Sequence, residues 1–272
     1  MSLLRLCHAG RRKTLAFTSS VSTCLGPGHA SSTVPEQPIG SDPTVALSTG
    51  YAQSKYIVER LTQLACKTLS QKVVLLRVGQ LCGSTATGHW NTSEMWPIMF
   101  ATSFHPRMKC VPMLEGQRVD WIPVDVAAVA VTELLLSSHL TSASASPQRQ
   151  EEEKYSVHNI VNPKSISWAE LVHMLQAIRT QSGDAEDMQQ VSMREWTARL
   201  SSLSTSISPD QLPGLKLLLF FENMAESAEQ ESKVFETGRS EGLSGALREC
   251  RPFCEEWLRR NVMVWREVGF LG

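Results

Sequence analysis

Tyr51 and Lys55, in the run Gly50-Tyr51-Ala52-Gln53-Ser54-Lys55, stand about one helical turn apart, and Thr18-Ser19-Ser20 ends an apolar run upstream of them. Residues four apart on a helix share a face, with Cβ atoms roughly 5–6 Å apart, so the Lys55 ammonium is expected beside the Tyr51 ring. A phenol that titrates near ~10 is a poor proton donor at neutral pH. A neighbouring cation favours its ionised form and suits it to proton transfer during hydride reduction of a carbonyl. Ser20, at the tip of the preceding strand, is then placed to hydrogen-bond the substrate oxygen. The Tyr–Lys spacing by itself also fits an ordinary helix start, and context separates the two readings.

The elements around these residues form a crossover unit. Leu15 to Thr18 reads as a short buried strand, and Cys24 to Leu47, rich in Gly, Pro and Ser, as a loop. From Thr49 to Thr68 the apolar positions Tyr51, Ile57, Val58, Leu61, Leu64 and Ala65 recur at helical spacing. Val73 to Val78 is a continuous apolar run suited to a parallel strand covered on both faces. Strand, helix, strand places the serines at the strand end where open α/β sheets bind ligands. Helices are expected over Ser93 to Phe104 and Asp125 to Leu136, with Asp125 as cap or first-turn acid, and a strand over Tyr155 to Val161. Ser167 with Glu170, and Ser192 with Glu195, open capped helices. The organisation read from this is an α/β part over 1–136, a linker or surface loop over 137–154 and a mainly helical lobe over 155–272.

Bulk properties exclude more than they assign. With 42% apolar and 19% charged residues among 272, the composition is that of a soluble globular protein, and a net charge of -1 offers no basic field for nucleic acid. The seven cysteines lack CxxC or Cys/His spacing, which favours reduced thiols without a metal. No apolar run is long enough to span a membrane. Residues 1–35 hold Arg5, Arg11, Arg12 and Lys13 with no acid before Glu36, a composition shared with mitochondrial presequences. A helix end feeding a strand explains the same residues, so a cytoplasmic protein is expected.

Several motifs in order carry a specific resemblance. Phe17 to Thr23, Gly50 to Lys55 with Glu59-Arg60-Leu61, Leu76 to Gly83, Gly88-His89-Trp90-Asn91, Asp120 to Asp125, Phe235-Glu236-Thr237 and Trp265 to Leu271 resemble the terminal reductase domains of nonribosomal-peptide-synthetase-like enzymes. Fungal adenylate-forming reductases are among these, within the extended short-chain dehydrogenase/reductase superfamily. The resemblance implies an NADPH-dependent domain that reduces a thioester, carried on the phosphopantetheine arm of a carrier domain, to an aldehyde or alcohol. By position it implies Ser20, Tyr51 and Lys55 as catalytic residues, with Lys55 and Tyr51 also touching the cofactor, Val78-Gly79-Gln80 passing its nicotinamide end, and 155–272 binding substrate. The fold implied is a partial Rossmann-type α/β domain lacking the N-terminal βαβ units. The glycine-rich pyrophosphate turn has no counterpart upstream of the serines, and Gly26-Pro27-Gly28, which follows them, reads as loop. Two expectations stand beside each other: a reductase whose cofactor cradle is supplied by another polypeptide or a longer product, and a truncated homologue that binds a partner without turnover. A sugar or steroid dehydrogenase of the same superfamily is a third reading, disfavoured by the Trp90-Asn91 and Asp120 to Asp125 motifs.

The remaining residues have plainer explanations. Trp90, Trp96 and Trp121 could line a substrate mouth, but core packing is the commoner role of tryptophan. His89, His105 and His158 have no ligand spacing, and Glu151-Glu152-Glu153 is a solvated run. Arg77 inside an apolar strand requires a partner, as an ion pair or on backbone carbonyls.

Overall fold

The structure, a computed structural model, describes residues 3–10, 13–138, 154–181, 188–227 and 232–271. The chain divides into two compact units that interleave along the sequence: Met1–Leu81, Asp120–Pro163 and Lys233–Cys250 form the first, and Cys82–Val119, Lys164–Ser232 and Arg251–Gly272 the second.

The first unit is built on three parallel strands, β1 (Leu15–Ser20), β2 (Val73–Val78) and β3 (Tyr155–Ile160), in the order β1-β2-β3. Their register aligns Leu15 with Val73 and Tyr155 at one end, and Ser20 with Val78 and Ile160 at the carboxyl end. Central β2 is buried from Val73 through Arg77, which is why its sequence runs apolar without alternation. The helix Val124–Ser137 covers one face with Ala127, Ala130 and Leu134 packed on Val74, Leu76 and Ile160. It starts at Val124, so Asp125 is a first-turn acid and not the cap, and its Oδ1 accepts from the Val126 N–H. On another side, Cys24, Val34, Ile39, Tyr56 and Phe235 form a second apolar cluster that includes Ala52 of α2 (Gly50–Leu69). A short helix α1 (Leu3–His8) precedes β1.

Helix α2 forms where its sequence places it, capped by Thr49, whose Oγ1 accepts from the Ala52 N–H at 3.3 Å, and ended by Ser70 in the left-handed region. Its orientation differs from the apolar stripe. Ile57, Leu61 and Leu64 are each more than half exposed, and the buried face carries Ala52, Tyr56, Glu59, Thr62, Gln63 and Ala65. The cause is polar: Glu59 is engaged by hydroxyls from the β1 end and by Arg77 of β2, and one rotation of the helix serves them all. The strand expected at Tyr155–Val161 also forms, but as β3 of this sheet and not as part of a helical lobe. Of the linker or surface loop expected over 137–154, residues 139–153, with Glu151-Glu152-Glu153, lie outside the described residues.

The second unit has an aromatic core. Trp96 and Trp168 pack with ring centroids 5.2 Å apart, Trp90 and Trp265 at 5.8 Å, and Trp196 meets Phe221 edge-on at 5.1 Å. Indole N–H groups of Trp168, Trp196 and Trp265 donate to Pro112 O, Ser103 Oγ and Trp90 O, so each buried ring keeps a polar partner. Trp90 and Trp96 are core residues here, as Trp121 is in the first unit. The capping box opens Trp168–Gln181: the Ser167 N–H donates to Glu170 Oε2 at 2.7 Å and the Glu170 N–H to Ser167 Oγ at 3.2 Å. Among the described residues no helix is long and apolar enough to cross a membrane.

Candidate active site

Parallel pairing brings the carboxyl ends of the strands together, and Ser20 and Val78 are register partners there. Strand β1 ends at Ser20 because the chain turns into the 3-10 segment Val21–Cys24, for which Ser20 is the cap. Its Oγ accepts from the Ser22 N–H at 3.2 Å and from Ser22 Oγ–H at 3.0 Å, which leaves its own proton to donate elsewhere. Lys55 lies on α2 with its Nζ 5.6 Å from the Tyr51 ring centroid and 5.1 Å from that of Phe17, and it donates to Thr18 O at 2.9 Å. The ammonium thereby ties the Tyr–Lys turn to the strand carrying Ser20. Tyr51 is 59% exposed, so its phenol is open to an incoming ligand.

The third predicted segment continues from β2. The Gly79 N–H donates to Ile160 O at 3.0 Å, and a Cβ at Gly79 would stand 2.6 Å from Val161 Cγ1, so a side chain here would have to displace Val161 just past the end of β3. Gln80 O accepts from the Ile122 N–H, and its Nε2 donates to Leu81 O at 2.7 Å. Val78, Gly79 and Gln80 are half-buried beside the Ser20 end, positioned by sheet hydrogen bonds.

For a nicotinamide cofactor the residues fit one end. Lys55 has three N–H donors, of which Thr18 O takes one, and the exposed Tyr51 stands beside it. The pyrophosphate end finds no match in Gly26-Pro27-Gly28. A Cβ at Gly26 would lie 2.2 Å from Ala46 O and at Gly28 2.0 Å from Thr44 Oγ1, and the Gly26 N–H is bonded to Val45 O, so both glycines serve the close approach of two chain segments.

Beneath the site lies a buried network in which sequence reasoning asked for a partner only at Arg77, while Ser19, Thr23 and Glu59 entered only as members of motifs. Arg77 and Glu59 form an ion pair at 2.9 Å with side chains 1% and 0% exposed, and Arg77 also donates to Gln37 O at 3.0 Å. Burial works against the Arg77 charge, but the Glu59 carboxylate together with smaller contributions from neighbouring groups raises its pKa. Glu59 Oε1 accepts from Ser19 Oγ at 2.5 Å, and Thr23 Oγ1 sits 3.0 Å from that oxygen and 2.8 Å from Ser20 O. A second network joins Glu36 to the backbone N–H groups of Asn159, Arg239 and Ser240 and to the Ser240 hydroxyl, which also meets His158 Nδ1 at 3.0 Å. Burial pushes the Glu36 carboxyl up. Burial, followed by the nearby Arg239 charge, lowers His158 to about 4. The signal for Glu59 was its place four residues after Lys55 together with the lone arginine of the β2 run.

Comparison with known proteins places the whole arrangement. Residues 1–131 match an NAD-binding family described as "Male sterility protein". Clavatol synthase claF of Penicillium crustosum is 30% identical over 241 residues, covering 88% of this chain and 8% of the relative, and adenylate-forming reductase Nps11 of Serpula lacrymans is 26% identical over 268 residues, covering 93% and 23%. Among solved structures the terminal R domain from the myxalamid PKS-NRPS biosynthetic pathway superposes with a TM-score of 0.76 at 21% identity, covering 98% of this chain and 61% of that one. RMD from Pseudomonas aeruginosa, complexed with NADPH, gives 0.55 at 16%, covering 98% and 71%. The chain thus spans under a quarter of these two curated relatives. Over residues 1–131 the chain thus matches the NAD-binding family model, in sequence it is similar to a part of these fungal synthases and adenylate-forming reductases, and its fold is that of the solved terminal R domain.

Proposed function

We propose that this site reduces a thioester, presented on the phosphopantetheine arm of a carrier domain, to an aldehyde or alcohol in secondary metabolism, using NADPH. The observation that carries this reading is the Lys55 ammonium, bonded to Thr18 O of the Ser20 strand and set over the Tyr51 ring at the carboxyl end of a parallel sheet. NADPH, when bound, supplies the hydride. Ser20 Oγ would donate to the thioester oxygen and orient it, and the Tyr51 hydroxyl would deliver the proton that oxygen needs as hydride adds to the carbonyl carbon. Cleavage of the C–S bond then releases the arm's thiol and leaves the aldehyde, and the alcohol requires a second hydride from a second NADPH. Lys55 holds the ribose end and keeps a cation beside the phenol. Val78, Gly79 and Gln80 shape the nicotinamide side, and residues of 155–272 contribute to the acyl site. The pyrophosphate requires a glycine-rich segment beyond the glycines of this chain, supplied by a further polypeptide or a longer product. A reducing, cytoplasmic setting belongs to this reading, supported by seven cysteines without CxxC spacing in the sequence.

The competing reading is a partner-binding protein without turnover. It draws on β1, which is an edge strand of the sheet among the described residues and carries neither proline nor lysine. Titration of the purified chain with NADPH, followed by NADPH oxidation in the presence of an acyl thioester, separates the two. Turnover that falls on the order of 10²–10⁴-fold in Tyr51→Phe, with NADPH affinity retained, supports the reductase. Absence of binding at millimolar NADPH refutes autonomous catalysis, and turnover unaffected by Tyr51→Phe refutes the site.

A further inference from the structure

Tyr51, Lys55 and Glu59 occupy positions i, i+4 and i+8 of α2 and so form one row along the helix. Tyr51 is open to solvent and Lys55 partly buried, whereas Glu59 is completely buried at the inner end of the row. Its carboxylate is reached from every segment that builds the site. Ser19 Oγ–H donates to Oε1 at 2.5 Å, a charge-assisted bond from the residue between Thr18, which holds Lys55, and Ser20. Thr23 Oγ1 has one proton to bridge Glu59 Oε1 and Ser20 O, so the same carboxylate also pins the turn that follows Ser20. Arg77, next to Val78 on β2, closes the arrangement with Nη2 2.9 Å from Oε2 and Nε 3.3 Å from both oxygens. The Glu36 network reaches β3 and the segment around Ser240 but none of these three segments, which leaves Glu59 as their common anchor.

We propose that Glu59 is the positioning residue of this site: held by Arg77, its carboxylate sets the Ser20 hydroxyl against the Tyr51–Lys55 turn through Ser19 and Thr23. This rests on the reductase reading for its catalytic consequence, since misplacing an orienting hydroxyl by about an ångström costs on the order of 10²-fold in rate. Direct replacement of Glu59 would strand a buried guanidinium, so the informative variants keep the ion pair and delete the two hydroxyl links. Ser19→Ala and Thr23→Val, singly and together, are expected to leave the protein folded with its melting temperature within a few degrees. Amide exchange of the Thr18–Cys24 segment should rise at least about tenfold while β2 and β3 stay protected. In NADPH-dependent thioester turnover, kcat should fall on the order of 10- to 100-fold with KM for NADPH unchanged, and Thr23→Ser, which keeps the hydroxyl, should restore both readouts. The single variants carry the test if the pair does not fold. Uniform loss of protection across β1, β2 and β3 would mean a merely structural role and overturn the proposal, as would unchanged exchange at Thr18–Cys24. If the wild-type chain turns nothing over, autonomous catalysis fails by itself, and the localised or uniform pattern of exchange still decides whether Glu59 positions the Ser20 segment.

Discussion

Replacing Arg77 by leucine removes one partner of an ion pair whose side chains are 1% and 0% exposed, and it leaves the Glu59 carboxylate with hydroxyl donors from Ser19 and Thr23 only. Breaking a fully buried pair from one side costs about 3–5 kcal/mol, because the surviving charge is uncompensated. Glu59→Leu should cost a similar amount, since the guanidinium would keep only the Pro35 and Gln37 carbonyls. The double variant Glu59→Leu/Arg77→Leu removes both charges. Its remaining penalty is the lost hydrogen bonding of the Ser19 and Thr23 hydroxyls and of those two carbonyls, partly recovered by apolar packing, or about 2–3 kcal/mol in all. The singles sum to about 6–10 kcal/mol, so the cycle should show a coupling of about 3 kcal/mol or more, against about 0.2–1 for an exposed pair such as Arg251–Glu256. Urea unfolding followed by tryptophan fluorescence and far-UV circular dichroism measures all four species, with unchanged m-values as the check that the transition is the same. A double variant as unstable as the sum of the singles would refute the claim that the pair is mutually compensated.

Three further outcomes follow from single positions. His158, lowered to about 4 in the folded protein, stays neutral while the unfolded chain protonates near 6.5; the stability this confers is full above pH 6.5 and declines as pH falls toward 4, by up to about 3 kcal/mol, with Glu36 acting in the opposite sense through its raised pKa. His158→Asn should therefore show a flatter loss of stability between pH 7 and 5 in chemical denaturation, and an unchanged slope would contradict the assignment. Gly26→Ala must drive a Cβ into Ala46 O and Thr44 O and should lower the melting temperature by about 5 °C or more (about 2 kcal/mol or above), whereas Gly40→Ala, with open space around it, should move it by about 1 °C at most. Leu61→Gln and Leu64→Gln should each change stability by less than about 0.5 kcal/mol, because both side chains face solvent, while a buried leucine deletion of the usual size would restore the apolar-stripe reading of α2.

Those two leucines mark where the sequence misleads. The limits of α2, its Thr49 cap, the β2 run, the Ser167–Glu170 capping box and the Ser192 cap are local features, settled by propensity and short-range hydrogen bonds, and all were legible. Which face of α2 turns inward is settled by partners distant in sequence, and apolar periodicity ranks Leu61 above Glu59 because it prices each residue alone. Arg77 carried the missing information. A lone arginine in an apolar strand demands an acid, and once Glu59 is that acid the rotation of α2 follows, with Leu61 and Leu64 left outside. Of the site, Tyr51, Lys55 and Ser20 were readable as spacing and motif, but their mutual placement depended on the parallel register of β1 and β2, which no local pattern encodes.

The same reasoning explains why a polar helix face is suited to this position. A helix that packs on a sheet through leucines can slide or rotate by a fraction of a turn with little change in buried area, since apolar attraction has no direction. A carboxylate that must meet a guanidinium at 2.9 Å and a hydroxyl at 2.5 Å has no such freedom, because hydrogen bonds weaken steeply with distance and angle. Fixing Glu59 fixes the rotation of α2, and two turns up the same row that rotation decides where the Tyr51 hydroxyl stands relative to Ser20. Chemistry that passes a proton between positioned oxygens tolerates little error in that angle. A buried polar anchor on α2 therefore sets a geometry that an apolar interface of equal stability would leave loose, at the cost of an apolar row exposed to solvent.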